Sequence, residues 1–163
     1  MSYKEELKDE IASISSPSVT PHEISKILHS LYTRALEESK KTGQSVSSIT
    51  YEILEGIEES HSHHIENIET QLSHASVIIA LIIYKSAQSN IEEKEKKLQQ
   101  TKDKLIDTIE LEIVHLLESI ETFEHYAEDK SHTQFQQSLY KTKSDILNNI
   151  DAFKALHKEY STS

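Results

Sequence analysis

The chain has 163 residues, a formal charge of −11, two glycines, two prolines and no cysteine. One domain fits this length, and the shortage of turn residues excludes hairpin-rich β folds. The missing cysteines exclude disulfides, thiolate metal sites and thiol nucleophiles, and the acidic balance argues against a general surface for nucleic acid or anionic membrane.

Ser2 and Glu5 form a capping box, and Tyr3, Leu7, Ile11 and Ile14 follow at helical spacing, so a short amphipathic helix and a Pro17-containing linker are expected over 1–19. Thr20, Pro21 and Glu23 make a stronger helix start, and Gly43 after Lys40 and Lys41 makes a helix stop; these bound a second helix over 20–43. A third is expected over 45–88, with Val46, Ile49, Ile53 and Ile57 on one stripe and Gly56 marking close packing or a bend. Its later part contains Ala75–Tyr84, ten uncharged residues that are apolar on every side. A spanning helix needs about 20 such residues, so this segment implies a buried core helix and no transmembrane segment.

The polar residues 85–90 suggest a turn near Ser89, followed by a fourth helix over 90–130 and, after the Ser131/Gln134 box, a fifth over 131–160. The alternative is one helix from about residue 46 to 130, roughly 125 Å long. The expected fold is thus all-α: an elongated antiparallel bundle of about four long helices plus a short N-terminal one, with coiled-coil-like packing.

A turn at Ser89 sets Ala75–Tyr84 against 94–103, where Leu98 is the sole apolar residue. That partner cannot desolvate an all-apolar helix, and the uninterrupted helix would also need a second chain. Val77, Ile78, Ile79, Leu81, Ile82 and Ile83 therefore become a candidate interface of a homo-oligomer, most simply a dimer; the competing reading is that the second and fifth helices and the N-terminal helix cover the segment within one chain.

Two Glu-x-x-His units, Glu58/His61 and Glu112/His115, have the spacing that di-metal bundles use, and the Ser89 hairpin puts them at one level. With His64, and with Glu55, Glu118 and Glu121 nearby, they are candidate ligands for iron or manganese; the competing reading is a solvated His cluster that needs no cofactor. No Lys or Arg occurs between Thr42 and Tyr84, whereas five lysines occur over 94–104. Each run reads as a solvated face or as a register-setting surface for a protein partner. The acidic third helix argues against helix-turn-helix binding of nucleic acid.

The N-terminal residues contain no apolar signal segment, so a cytoplasmic location is expected. Protonating all ten histidines would bring the charge from −11 to −1, and association at mildly acidic pH is expected from that loss of repulsion. The leading functional expectation is a non-enzymatic interaction or scaffold protein. The alternatives are a metal-binding bundle and a peripheral coat of a lipid or polymer inclusion.

Overall fold

The computed structural model describes residues 2–14, 20–60 and 68–162, and the chain is all-α. Among these residues the helices are α1 (Tyr3–Ala12), α2 (Pro21–Thr42), α3 (Val46–Ser60), α4 (Ile68–Lys96), α5 (Leu98–Asp129) and α6 (Thr133–Ser161). Their buried apolar faces form one core cluster.

The first two helices start for the local reasons their sequences suggest. Ser2 Oγ accepts from the Glu5 N–H, and Thr20 Oγ1 accepts from the Glu23 N–H, each relieving a backbone donor that the first helical turn cannot use. Gly43 ends α2 at φ 78°, a left-handed conformation that costs glycine little.

The α4–α5 pair forms the middle of the molecule. Asn90 of α4 bonds Glu112 of α5, and the two helices run antiparallel. α6 packs beside both. It is parallel to α4, as shown by the Ser73–Ser138 hydroxyl contact at 2.5 Å, the stacked Tyr84 and Phe153 rings, and the Tyr160 hydroxyl donating to Glu95 at 2.7 Å. It is antiparallel to α5, with His157 at Glu110 and Lys143 at Glu124. On the other flank α2 packs on α4, and α3 packs on both α4 and α5. A buried Tyr32–Thr50 hydroxyl bond of 2.7 Å joins α2 to α3.

α1 closes over α2 and α3 through Leu7 and Ile11. Its rim carries Tyr3–Glu38 and Arg34–Glu6 contacts, and both Lys4 and Lys8 reach Glu59 at 3.1 Å. Gly56 is the point of closest approach: a Cβ there would stand 3.0 Å from Leu7 Cδ2 and 3.2 Å from the Lys4 carbonyl oxygen. Close packing, and not a bend, accounts for this glycine.

Three boundaries differ from expectation. The helix expected over 45–88 is two helices, α3 and α4, which run in opposite directions beside each other. Between Ile57 and Ile65 the sequence has no apolar residue, so nothing there would reward a continuous buried stripe. The turn expected near Ser89 is absent, because α4 continues to Lys96; Ala87 and Ile91 are buried and prolong its apolar face past the polar run. The break at Lys97 also rules out the single helix over 46–130.

Ser131, expected as a helix start, instead ends α5. Its φ is 58°, its N–H bonds the Glu128 carbonyl, and the His132 N–H bonds that of Ala127. This is a Schellman closure with serine where glycine is usual.

The Asn90–Glu112 pairing, extended along antiparallel helices, brings Ala75–Tyr84 to the level of about residues 118–127. There Ile120, Phe123, Tyr126 and Ala127 are buried. Four helices thus contact α4, and they bury Ala75, Ser76, Ile78, Ile79, Ala80, Ile82 and Ile83 within one chain.

Candidate functional site

Two polar clusters lie inside the helix packing, both anchored on α5. At the first, Glu112 is only 4% exposed although it is a carboxylate. Burial of such a group is costly unless hydrogen bonds replace its water. Asn90 Nδ2 donates to its Oε1 at 3.0 Å, and His115 Nδ1 lies 3.4 Å from its Oε2, one helical turn along the same face. Lys40 Nζ donates to Asn90 Oδ1 at 3.4 Å, so a cation at the end of α2 reaches the buried anion through one amide. Ser39, Ser86 and Ile83 help line the small pocket in front of Glu112.

The second cluster joins α3, α4, α5 and the start of α6. Glu58 Oε1 accepts from the Tyr126 hydroxyl at 2.7 Å and faces His132 Nε2 at 2.8 Å. The other imidazole nitrogen of His132, Nδ1, stands 3.8 Å from Glu69 Oε1. Glu69 Oε1 also accepts the Phe135 N–H at 3.1 Å. A carboxylate from α4 thereby caps the positive end of α6, whose own N-cap, His132, makes no side-chain cap bond.

Around Tyr126, Lys130 sits 5.7 Å from the ring centroid and Tyr51 packs edge-on at 5.0 Å. Burial, reinforced by the Glu58 carboxylate, drives the Tyr126 phenol far above its ordinary pKa. Tyr32 is raised chiefly by burial, and Tyr3 is raised to about 12 by burial together with Glu38.

The two Glu-x-x-His units are therefore not at one level. Glu58 bonds Tyr126, which is fourteen residues beyond Glu112 on α5, about 21 Å of helix. The difference follows from the reversal at Lys97 instead of Ser89, which moves the α4–α5 register. Glu112 and His115 are brought together, whereas Glu58 pairs with His132. His61 and His64 lie outside the described residues. Of the other nearby carboxylates, Glu55 faces Lys130 at 3.8 Å, Glu118 is half-buried and within electrostatic reach of the buried Tyr32 hydroxyl, and Glu121 is exposed. Among the described residues no group of three or more His, Asp or Glu side chains has the geometry to hold a metal ion.

His132, Glu69, Tyr126 and Asn90 are the site residues that sequence reasoning missed. Their only sequence signal is polarity beside apolar stripes, because each cluster draws on several helices.

The expected interface residues also separate. Ile78, Ile79, Ile82 and Ile83 are buried against the chain's own helices, while Val77 is 53% and Leu81 42% exposed. These two, with Tyr84 and Ile146, line a groove between α4 and α6. No described helix is long and apolar enough to cross a membrane.

Compared with known proteins, the chain matches no family model, no curated protein and no solved structure.

Proposed function

We propose that the chain is a non-enzymatic, cytoplasmic interaction protein that self-associates through the outward stripe of α4. The observation carrying this reading is the pair Val77 and Leu81, one turn apart and exposed, at the middle of a segment that is otherwise sealed. Scattered apolar side chains are ordinary on protein surfaces. Here, however, the two sit above the groove shared with α6, where a second copy's α4 could seat with coiled-coil-like packing between the helices.

Sedimentation velocity over a concentration series is the test. A dimer is expected for the unaltered chain and a monomer for Val77→Ser/Leu81→Ser. An unaltered chain that stays monomeric at high micromolar concentration contradicts the reading.

A second reading, the metal-binding bundle for iron or manganese, retains only the Glu112–His115 pair, which would need further ligands that the described residues do not group with it. Elemental analysis of chelator-free protein tests it. Metal at one ion per chain that disappears in Glu112→Gln would favour it, and metal absent after reconstitution would end it.

A further inference from the structure

α5 presents an outward face that carries three exposed apolar side chains in succession. Leu111, Val114 and Leu117 are 53%, 44% and 40% exposed and follow one another at three-residue steps. About 9 Å of helix separates the first from the last. Val114 points directly away from the α5 core stripe of Leu105, Ile109, Leu116 and Phe123, and the two leucines flank it on the helix surface.

The charges around this apolar strip have one sign. Between Lys104 and Lys130 the sequence has no Lys or Arg. Asp107 lies one turn before Leu111, and Glu118 and Glu121 lie beyond Val114; none of the three forms an ion pair among the described residues. Glu110 and Glu124, by contrast, turn toward α6 and are met there by His157 and Lys143.

A second copy of this face cannot cover it well. In a two-fold contact with α5 antiparallel to its mate about Val114, Leu111 meets Leu117, but Asp107 meets Glu121 and Glu110 meets Glu118. A parallel two-fold contact sets each carboxylate against itself. Like charges facing one another across an interface cost several kcal/mol, so the apolar gain and the charge term oppose each other in either symmetric arrangement. The same carboxylates repel nucleic acid and anionic lipid.

We propose that this α5 face docks a basic amphipathic helix of another protein. Such a helix lays apolar side chains, spaced at i, i+3 and i+7, along Leu111, Val114 and Leu117, and its flanking Lys or Arg side chains reach Asp107, Glu118 and Glu121. Apolar contact supplies the seat, and the carboxylate frame selects the sign of the partner. This does not depend on self-association through α4, because the two stripes involve different residues.

The test uses the full chain and two fluorescently labelled designed peptides, a Leu/Lys amphipathic helix and its Leu/Glu counterpart, followed by anisotropy. The unaltered protein is expected to bind the Leu/Lys peptide and not the Leu/Glu one. Val114→Glu separates a seat from bulk attraction by sign: it adds negative charge while removing the central apolar contact. The docking site requires binding to weaken by about tenfold or more, a change of one decade in Kd, whereas bulk charge attraction would strengthen it. Glu121→Lys should weaken binding as well, and Val77→Ser/Leu81→Ser should leave it unchanged.

Circular dichroism checks the helical content of each variant. If Val114→Glu does not fold, Val114→Ser decides: it removes the central apolar contact without changing the charge, so the docking site requires weaker binding and unchanged binding would overturn it. The proposal is overturned by absence of binding to the unaltered chain, by equal or tighter binding to Val114→Glu, or by sedimentation showing that Val114→Glu abolishes a homo-oligomer.

Discussion

α4 and α5 lie side by side and treat their apolar residues in opposite ways. The central decamer of α4 is apolar on every side, yet the chain buries all of it except Val77, Leu81 and part of Tyr84. α5 is the more obviously amphipathic of the two, and it leaves Leu111, Val114 and Leu117 in solvent. The difference lies in the number of neighbours: α4 is packed by α2, α3, α5 and α6, whereas α5 is packed by α3, α4 and α6, and among the described residues Leu111, Val114 and Leu117 stay exposed on its outer side. Hydrophobicity of a segment thus predicts its burial only when the helices around it are known.

The sharpest way to break this contrast is to remove buried volume from α4. Ile79→Ala should lower unfolding free energy by about 2–5 kcal/mol, because a cavity is left among several helices that cannot all collapse into it. The matching change on the outer side of α5, Leu111→Ser, should stay within about 0.5 kcal/mol. Urea denaturation of both variants measures the pair directly, and comparable losses would show that the burial contrast is wrong.

Gly56→Val tests whether α1 is sealed as tightly as α4. With a Cβ already 3.2 Å from the Lys4 carbonyl, the added methyls must displace α1, and a loss of about 1–3 kcal/mol is expected. Loss of protease resistance in α1 before the remaining helices would locate the effect.

Alkaline titration sharpens the comparison from the phenols. Tyr32 of α2 and Tyr126 of α5 are buried, and Tyr3 is raised to about 12. The ordinary phenol value is 10.0. A phenol whose folded value exceeds its unfolded value stabilises fully below the unfolded value, and that stability is lost as pH rises through the folded value. Helical content should therefore hold below pH 10 and fall above it as the buried phenols ionise. Absorbance at 295 nm showing their ionisation with helicity unchanged would contradict their burial.

The last change expected is a gain. Ser131 holds a left-handed conformation at the end of α5, and Ser131→Gly should stabilise, because relief of about 1–2 kcal/mol of left-handed strain outweighs the roughly 0.5–1 kcal/mol of extra chain entropy that glycine loses on folding. A thermal melt shifted downward would contradict the Schellman geometry.

Much of the fold was legible because its signals are local. Thr20, Pro21, Glu23 and Gly43 each act within a turn of their own position, and they bound α2 where the spacing predicts. Register depends on reversals, and reversals were not legible. The polar run 85–90 resembles a turn, but Ala87 and Ile91 keep the buried stripe going, so the reversal falls at Lys97. That shift gives the decamer intrachain cover and separates Glu58 from Glu112. Ser131 was misread for a related reason: a serine followed three residues later by glutamine suggests a capping box, while the backbone closes α5 there and the α6 cap comes from Glu69, on another helix. Glu58 was singled out for its spacing to His61, but its pairing with His132 and Glu69 had no sequence signature beyond polarity beside apolar stripes, since the three come from separate parts of the chain.

The cover over α4 is most directly tested by a disulfide trap between α4 and α6. The chain has no cysteine of its own, and the Ser73 and Ser138 hydroxyls are 2.5 Å apart. Under mild oxidation Ser73→Cys/Ser138→Cys should form a disulfide within a single chain, at monomer mass on a non-reducing gel. Cross-linked dimers with no intrachain product would mean that α6 does not lie beside α4 in the same molecule, and the burial of the decamer would then need a second chain.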